Sequence, residues 1–232
     1  MTTYLFPPAP QPSLAIEGED TSYPVHRIFC VGRNYVAHAT EMGGEVDREA
    51  PWYFMKSAHA LVLSGVTLPY PPGTSNFHHE MELVIALGAP AFQVSVDEAM
   101  DAVFGYAAGL DMTRRDLQQL GKDNRRPWDL GKDIEGGAVI GAVSRTQAMG
   151  AIGPQRIQLS VNGASRQDAT LADMVWSVPE IIAHLSQFYH LQAGDLIMTG
   201  TPAGVGPVVA GDVIEGQIEG LAPVTHTLGA AE

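Results

Sequence analysis

The chain has 232 residues, of which 45% are hydrophobic and 17% are charged, so it can bury a full core and is too apolar for a disordered protein. Its formal net charge of −13 argues against nucleic-acid binding, which needs a basic patch that 13 Lys and Arg among 26 acids would have to concentrate on one face. The longest apolar runs are too short for a membrane helix and Cys30 is the sole cysteine, so we expect a soluble, cytoplasmic protein without intrachain disulfides.

The first 24 residues are rich in Pro and show neither a helix period nor a strand period. This pattern predicts an extended N-terminal arm over residues 1–24, which would lie on the domain surface or form a dimer contact. Residues 25–232 are expected to fold as one globular domain.

A short helix is predicted after the first strand of this domain, which runs from Val25 to Val31, and Asn34 is a typical N-cap residue for it. His38 and Glu41 lie three residues apart in the helix and share a face. Such pairs are usually solvated or part of the core, but a position just after a Gly-containing strand exit makes this pair a catalytic candidate. The charged loop at 45–51 could then act as a lid.

Three acidic residues interrupt two apolar runs. Glu80 and Glu82 lie within the strand-like stretch His79–Leu87, where alternation places both side chains on one face, roughly 6 to 7 Å apart along the backbone. Asp111 follows the apolar run Val103–Leu110, at the point where that strand should leave the sheet.

An acidic pair of this kind is most often the solvated face of a strand. Against that interpretation, the neighbouring residues are apolar on both faces, and buried unpaired carboxylates are costly. Three carboxylates without a cysteine nearby favour a hard divalent cation, Mg²⁺ or Mn²⁺ with Ca²⁺ as a third candidate, over Zn²⁺. The sequence therefore predicts an open metal site.

A second helix is predicted after Asp111, because Thr113 and Asp116 have the spacing of a capping box. This helix would carry Arg115 and Gln118 toward whatever the acids hold. Lys132 follows in a Gly-rich region, and taken by itself it is typical of a solvated surface lysine.

The C-terminal half contains further strand signals. Asn162-Gly163 is a strong hairpin turn, and Ser177–Glu180 is a capping box that opens a helix with one apolar face. The glycines of 199–207 would let backbone amides approach an anion, although no P-loop sequence follows them. Many strands, few helices and frequent Gly turns predict a β-rich α+β fold.

Together these residues resemble the fumarylacetoacetate hydrolase superfamily over about residues 25–230. The motifs that carry the resemblance are, in chain order, Cys30-Val31-Gly32-Arg33-Asn34-Tyr35 with His38 and Glu41, Phe54-Met55-Lys56, His78-His79-Glu80-Met81-Glu82, Leu110-Asp111-Met112-Thr113-Arg114-Arg115-Asp116, Lys132, and Thr199-Gly200-Thr201-Pro202-Ala203-Gly204-Val205-Gly206-Pro207. Two stretches look most like bacterial members that cleave fumarylpyruvate: one runs from Tyr4-Leu5-Phe6-Pro7-Pro8 through Tyr70-Pro71-Pro72, and the other runs from Leu171-Ala172-Asp173-Met174 to the C-terminus.

The resemblance implies a mixed β-sheet roll with a few short helices, a homodimer, and Mg²⁺ or Mn²⁺ bound by Glu80, Glu82 and Asp111. It assigns the water-activating role to His38 and Glu41, with Glu41 taking the proton. The remaining assignments that it implies are Lys132 as a cationic stabiliser and, as substrate contacts, Arg115, Gln118 and Thr201.

The implied function is metal-dependent hydrolysis of a C–C bond in an acylpyruvate (a 2,4-dioxo acid), with fumarylpyruvate or its maleyl isomer as the expected substrate in gentisate-type aromatic catabolism. Fumarate and pyruvate would be the products. The alternatives are an oxaloacetate decarboxylase, a hydroxydienoate isomerase, and a metal-binding paralogue without catalysis. The intact pair of His38 and Glu41 argues against the last of these.

The chain departs from the family pattern at two places. Ser57 follows Lys56 where many relatives have Pro, and Asp133–Val139 after Lys132 lacks the Phe and Pro of the family pattern. These departures predict that the loop after Lys132 has a different conformation from the one in members with the usual family pattern. We expect this difference to affect substrate choice more than metal binding.

Overall fold

The computed structural model of the protein describes residues 2–46 and 48–231, and β-strands dominate these ranges. The strands are, in chain order, β1 (Ser13–Ala15), β2 (Ser22–Pro24), β3 (Arg27–Gly32), β4 (Trp52–Lys56), β5 (Leu61–Leu63), β6 (Val66–Pro69), β7 (Phe77–His79), β8 (Met81–Leu87), β9 (Val103–Asp111), β10 (Thr113–Arg114), β11 (Ala138–Ile140), β12 (Ser144–Arg145), β13 (Arg156–Val161), β14 (Ala164–Thr170), β15 (Asp195–Met198), β16 (Gly206–Val208), β17 (Val213–Ile218) and β18 (Val224–Gly229).

The helices are short, and among the described residues none has the length and apolar content to cross a bilayer. The α-helices are α1 (Val36–Glu41), α2 (Arg115–Asp123), α3 (Asp129–Lys132), α4 (Thr146–Met149) and α5 (Val178–Leu185). Short 3₁₀ turns occur at Ala58–Ala60, Ala99–Ala102 and Leu171–Asp173.

The largest sheet has the order β4-β3-β15-β8-β9-β11-β5, and β12 also pairs with β9. Its pairings are mixed, because β3 is parallel to β15 and β5 is parallel to β11, whereas β8 and β9 are antiparallel. Both faces of β8 are buried, which accounts for its apolar sequence from Leu83 to Leu87. The β-rich, mixed-sheet architecture confirms the predicted fold class.

Two smaller sheets complete the roll. One has the order β14-β13-β17-β18-β6, and the other has the order β10-β7-β16. The chain passes from β7 in the small sheet to β8 in the large sheet at a single residue, Glu80. This transition places Glu80 at the boundary between two sheets.

The core lies on both sides of β8, as strand alternation requires. Leu83 and Ile85 point into one hydrophobic cluster, which α5 covers, whereas Val84 and Ala86 point into a second cluster behind β3 and β15. Cys30 is fully buried in the second cluster, where burial raises the pKa of its thiol well above the ordinary value. The thiol is therefore part of the core.

The N-terminal segment differs from the extended arm predicted over residues 1–24. It contains a hairpin of β1 and β2, whose Leu14 and Tyr23 are buried against the large sheet. The Tyr23 hydroxyl donates a 2.6 Å hydrogen bond to the carbonyl of Leu87. Strands of three residues are too short to show a period among prolines, and the domain boundary at residue 24 stays a prediction.

Three local predictions can be compared with the structure. The hairpin turn at Asn162-Gly163 joins β13 to β14, and Ser177 and Glu180 form the predicted capping box of α5. Thr113, however, does not cap α2, because it pairs with His78 in the β10–β7 ladder and the helix begins at Arg115. The ladder holds Thr113 in an extended conformation, and the cap position moves to the next residue.

Candidate metal and catalytic site

The three acidic residues predicted to converge do so where β8 and β9 pair. Glu82 lies in β8 opposite Gly109, and Asp111 is the last residue of β9. Glu80 lies just outside β8, and its carbonyl accepts a 2.9 Å hydrogen bond from the backbone N–H of Asp111. One oxygen from each carboxylate lies within 4.8 Å of the others, and all three residues are buried.

Three buried cations contact two of these carboxylates. The Lys132 ammonium lies 2.7 Å from Glu80 Oε2 and 2.7 Å from Asp111 Oδ2. The Lys56 ammonium lies 2.9 Å from Asp111 Oδ1, and the Arg115 guanidinium pairs with Glu80. The alternative that Lys132 is a solvated surface lysine is therefore wrong.

The electrostatic environments of the acids differ. Burial opposes ionisation of Glu80, but Lys132 and Arg115 outweigh it and hold the pKa of this carboxyl well below its usual range. Burial, together with the adjacent Asp111 and Glu80 carboxylates, raises the pKa of Glu82 well above its usual range. Lys and Arg form no ion pair with Glu82 within the described residues, so the ionised form of this acid is the least compensated of the three.

The donor set fits a hard divalent cation. Three carboxylate groups in one buried cluster are the ligands that Mg²⁺ and Mn²⁺ prefer, and three ligands leave coordination positions for water or substrate oxygens. The cluster contains no cysteine and no histidine. This chemistry agrees with the metal site predicted from the sequence.

The Gly-rich stretch predicted to approach an anion approaches two carboxylates of the site itself. The Gly200 N–H donates a 2.8 Å hydrogen bond to Glu82 Oε2, and the Gly204 N–H donates a 3.0 Å hydrogen bond to Glu41 Oε1. Both glycines have positive φ values, 93° and 97°, and a Cβ at 204 would lie 2.0 Å from the Arg166 carbonyl oxygen. Glycine is therefore required at both positions.

His38 and Glu41 lie on α1, directly after β3. The His38 Nδ1 lies 3.3 Å from Glu41 Oε2, and His38 is buried, whereas the Glu41 side chain is one-third exposed. Burial lowers the pKa of His38, so its imidazole is neutral near pH 7. The Nε2 atom of His38 forms no hydrogen bond with the described residues, which leaves it available as a proton acceptor.

The predicted substrate contacts lie around the same pocket. Arg115 and Gln118 occupy the first turns of α2, and the Arg115 guanidinium donates a 2.8 Å hydrogen bond to Gln118 Oε1. Thr201 is buried after β15, and its Oγ1 accepts a 2.8 Å hydrogen bond from Gln167 Nε2. All the predicted site residues except Glu41 line one pocket, and Glu41 stands behind His38.

Two buried residues support the site through hydrogen bonds but are not among the site residues predicted from the sequence. Lys56 is fully buried, and its ammonium also donates a 3.2 Å hydrogen bond to the Met112 carbonyl and a second bond to the Lys132 carbonyl. Gln167 is fully buried, and its Oε1 accepts a 3.0 Å hydrogen bond from the Met81 N–H. For Lys56, the sequence offers one signal of a buried role, because the lysine directly follows the apolar stretch Trp52–Met55. For Gln167 it offers no such signal, because this residue lies in a strand that is mostly polar.

The loop at 45–51, predicted to be a lid, contains Asp47, which lies outside the described residues. Its Arg48 guanidinium lies 4.3 Å from the Trp176 ring centroid and 3.3 Å from Glu180 Oε1. These contacts connect the middle of the loop to the start of α5, and closure of the loop stays a prediction.

Comparisons with known proteins agree with this geometry. Residues 27–229 match the family model described as fumarylacetoacetate (FAA) hydrolase C-terminal. A fumarylpyruvate hydrolase of Ralstonia sp is 54% identical over 193 residues, which cover 82% of this chain and 100% of the relative. An oxaloacetate tautomerase of Escherichia coli strain K12 is 36% identical over 91% of this chain and 97% of the relative.

A solved structure of a relative has the same fold as this chain. The crystal structure of fumarylpyruvate hydrolase from Pseudomonas aeruginosa in complex with Mn²⁺ and pyruvate superposes with a TM-score of 0.94 and 43% identity, and the match covers 98% of this chain and 100% of that one. The family model covers most of the chain, and the Ralstonia relative matches along its whole length. The chain therefore belongs to the fumarylacetoacetate hydrolase family.

Proposed function

We propose that this protein is a metal-dependent hydrolase that cleaves the C–C bond of an acylpyruvate, with fumarylpyruvate as the substrate and gentisate-type aromatic catabolism as the setting. The observation that carries the proposal is the buried carboxylate triad beside the His38–Glu41 pair. The fumarylpyruvate hydrolase of Ralstonia, 54% identical, and the Mn²⁺ and pyruvate complex from Pseudomonas aeruginosa, 43% identical, support it.

Glu80, Glu82 and Asp111 would hold Mg²⁺ or Mn²⁺, with Ca²⁺ as a third candidate. When bound, such an ion supplies a Lewis acid that polarises the carboxylate and 2-oxo oxygens of a pyruvoyl group. Arg115, Gln118 and Thr201 line the same pocket with hydrogen-bonding groups, and we assign them to binding the pyruvoyl end of the substrate.

His38 is assigned as the general base and Glu41 as the residue that orients it. The Nδ1 side of His38 faces Glu41, which fixes the tautomer and leaves Nε2 to accept a proton from water. This order reverses the expectation that Glu41 takes the proton, because both Glu41 oxygens already accept a hydrogen bond from the Gly204 N–H.

The water oxygen adds to the 4-oxo carbon while its proton moves to His38. The bond between carbons 3 and 4 then breaks, and its electron pair passes to the pyruvate fragment as an enolate. Lys132, buried at the base of the pocket, offsets the negative charge that develops. Protonation of carbon 3 completes pyruvate, and fumarate leaves with the oxygen from water.

A homodimer in the cytoplasm is the proposed setting of this reaction. Two exposed apolar side chains of the N-terminal segment, Leu5 at 90% and Phe6 at 75% exposure, support a contact with a second copy. The acidic sequence with one buried cysteine is compatible with a reducing compartment.

An assay panel tests the proposal. Purified protein with Mg²⁺ or Mn²⁺ is offered fumarylpyruvate, oxaloacetate and a hydroxydienoate, and each reaction is followed by absorbance and product analysis. We expect loss of the fumarylpyruvate dienolate absorbance with release of fumarate and pyruvate. Turnover of oxaloacetate alone would instead favour the chemistry named for the Escherichia coli relative, and inactivity toward all three would favour a metal-binding paralogue.

A further inference from the structure

Two half-buried cations of the pocket have no role in the proposed hydrolysis. Arg33 and Lys122 line the same pocket as the carboxylate triad. Within residues 2–46 and 48–231, neither side chain forms a hydrogen bond or an ion pair. Arg115 and Lys132, in contrast, are balanced by Glu80. Two unbalanced cations therefore face the pocket of a protein whose formal net charge is −13.

Arg33 is held in place by close packing. Its φ of 53° lies in the left-handed region, which is uncommon for a residue with a Cβ and concentrates at functional sites. A Cβ on Gly44 would lie 2.7 Å from Arg33 Nη1, so the loop after α1 packs directly on the guanidinium. A Cβ on Gly32 would lie 2.1 Å from the Trp52 ring, which fixes the backbone just before Arg33 against the pocket wall.

Lys122 is positioned by the helix that carries two of the proposed substrate contacts. It follows Arg115 by seven residues and Gln118 by four, so all three lie on one face of α2. Its ammonium lies 5.2 Å from the ring centroid of Trp128, and Trp128 contacts Trp52 edge-on at 5.1 Å. Burial, then the nearby Arg115 and Arg33 charges, lowers the pKa of Lys122, which indicates a cationic field that a bound anion would relieve.

We infer that Arg33 and Lys122 form a second anion subsite, which binds the carboxylate at the distal end of the acyl group. This inference rests on the proposed function, because it takes the pyruvoyl end to lie at the triad. The Trp52 and Trp128 rings line the same pocket and provide flat walls for a planar unsaturated chain. The enzyme would thus select acylpyruvates that carry a second carboxylate over acylpyruvates that end in a methyl group.

Matched substrates test the subsite. Fumarylpyruvate is compared with crotonylpyruvate, which has a methyl group in place of the distal carboxylate. Arg33→Gln and Lys122→Gln should each lower kcat/KM for fumarylpyruvate by roughly 10- to 100-fold, the usual effect of removing a bond to a charged group. The same variants should change kcat/KM for crotonylpyruvate by less than about threefold, which also shows that they fold.

Arg125→Gln is the control, because it removes one positive charge from an exposed side chain that does not line the pocket. It should leave kcat/KM for both substrates unchanged. The subsite would be overturned if Arg33→Gln and Lys122→Gln lowered kcat/KM equally for the two substrates. It would also be overturned if these variants lowered kcat/KM for neither substrate.

A binding measurement separates the subsite from the proposed function. Fumarate and crotonate are titrated against the fluorescence of the pocket tryptophans, in the wild type and in both variants. We expect the wild type to bind fumarate at least tenfold more tightly than crotonate and each variant to lose this preference. Preferential binding without acylpyruvate turnover would reject the proposed function alone, and turnover of acylpyruvates without the preference would reject the subsite alone.

Discussion

At the scale of single residues, the three carboxylates of the triad have unequal surroundings. Glu80 and Asp111 contact lysine or arginine, whereas Glu82 receives a backbone N–H and otherwise faces the other acids. In the metal-free protein these surroundings favour the neutral form of Glu82, which Gln resembles, whereas the change to Gln removes a proposed metal ligand. The two effects can be measured separately.

Glu82→Gln should abolish metal-dependent stabilisation without lowering the melting temperature of the metal-free protein. In the wild type, Mg²⁺ or Mn²⁺ at about 100 times its Kd should raise the melting temperature by roughly 5 °C or more. Thermal unfolding with a chelator and with each metal gives both values. The exposed variant Glu135→Gln is the control and should keep the full metal effect. A Glu82→Gln protein that still gains the wild-type shift would contradict the ligand assignment.

The pH profile of the reaction should report His38. Burial lowers the pKa of His38; the Glu80 and Glu41 charges act against this shift, and Arg115 acts with it. The His38 imidazole must be neutral to act as a general base. We therefore expect kcat/KM to stay constant as the pH decreases to about 6.5 and to fall only when the pH passes below the lowered pKa. His38→Gln should lower kcat by about 10² to 10⁴ and remove this acid limb. An acid limb centred above pH 7 in the wild type would exclude His38 as the base.

At the scale of elements, the loop after α3 is held by residues from β4 and the turn that follows it. The Ser57 N–H donates a 2.7 Å hydrogen bond to Asp133 Oδ1, and the Lys56 ammonium bonds the Lys132 carbonyl. A Pro at the position of Ser57 would have no N–H to donate. The two departures from the family pattern are thus in contact, and Lys132 keeps its bonds to the triad.

Ser57→Pro and Asp133→Ala should lower kcat for an acylpyruvate by similar factors, roughly two- to tenfold, because each removes the same bond behind Lys132. The φ of −58° at Ser57 already suits Pro, so Ser57→Pro should lose little stability, whereas Asp133→Ala has no such compensation. Steady-state kinetics and thermal unfolding of both variants measure this. Wild-type kcat in the two proteins would show that the bond has no part in catalysis.

Much of the site could be predicted from residue type and spacing. The period of β8 and β9 predicted that Glu82 and Asp111 would meet, and the three-residue spacing predicted the His38–Glu41 contact. The position of Lys132 could not be predicted, because its contacts come from strands about 20 and 50 residues earlier in the chain. Thr113 was misassigned as a cap since local propensity yields to pairing with a distant strand.

At the scale of the whole molecule, the β-rich fold concentrates positive charge in an acidic protein. Arg33, Arg115, Lys122 and Lys132 line one pocket, and Lys56 lies directly behind it. The chain contains only 13 Lys and Arg, so more than a third of its positive charge serves this pocket. This distribution allows a protein of net charge −13 to bind a small polyanion.

The proposed homodimer should appear as a particle of twice the chain mass. Light scattering coupled to size exclusion measures this at micromolar concentration. Because Leu5 and Phe6 are exposed, Leu5→Ser and Phe6→Ser together should shift the equilibrium toward the monomer without lowering the melting temperature of the monomer. A wild-type protein that remains monomeric at these concentrations would contradict the proposal.

Hydrolysis in ¹⁸O-labelled water tests the central claim most directly. The wild-type protein with Mn²⁺ and fumarylpyruvate should release fumarate and pyruvate in equal amounts, with one ¹⁸O atom in a fumarate carboxylate, because water attacks the 4-oxo carbon. Mass spectrometry of the fumarate measures the label. Substrate consumption without fumarate, or fumarate that lacks ¹⁸O, would contradict C–C hydrolysis by water activated beside the triad.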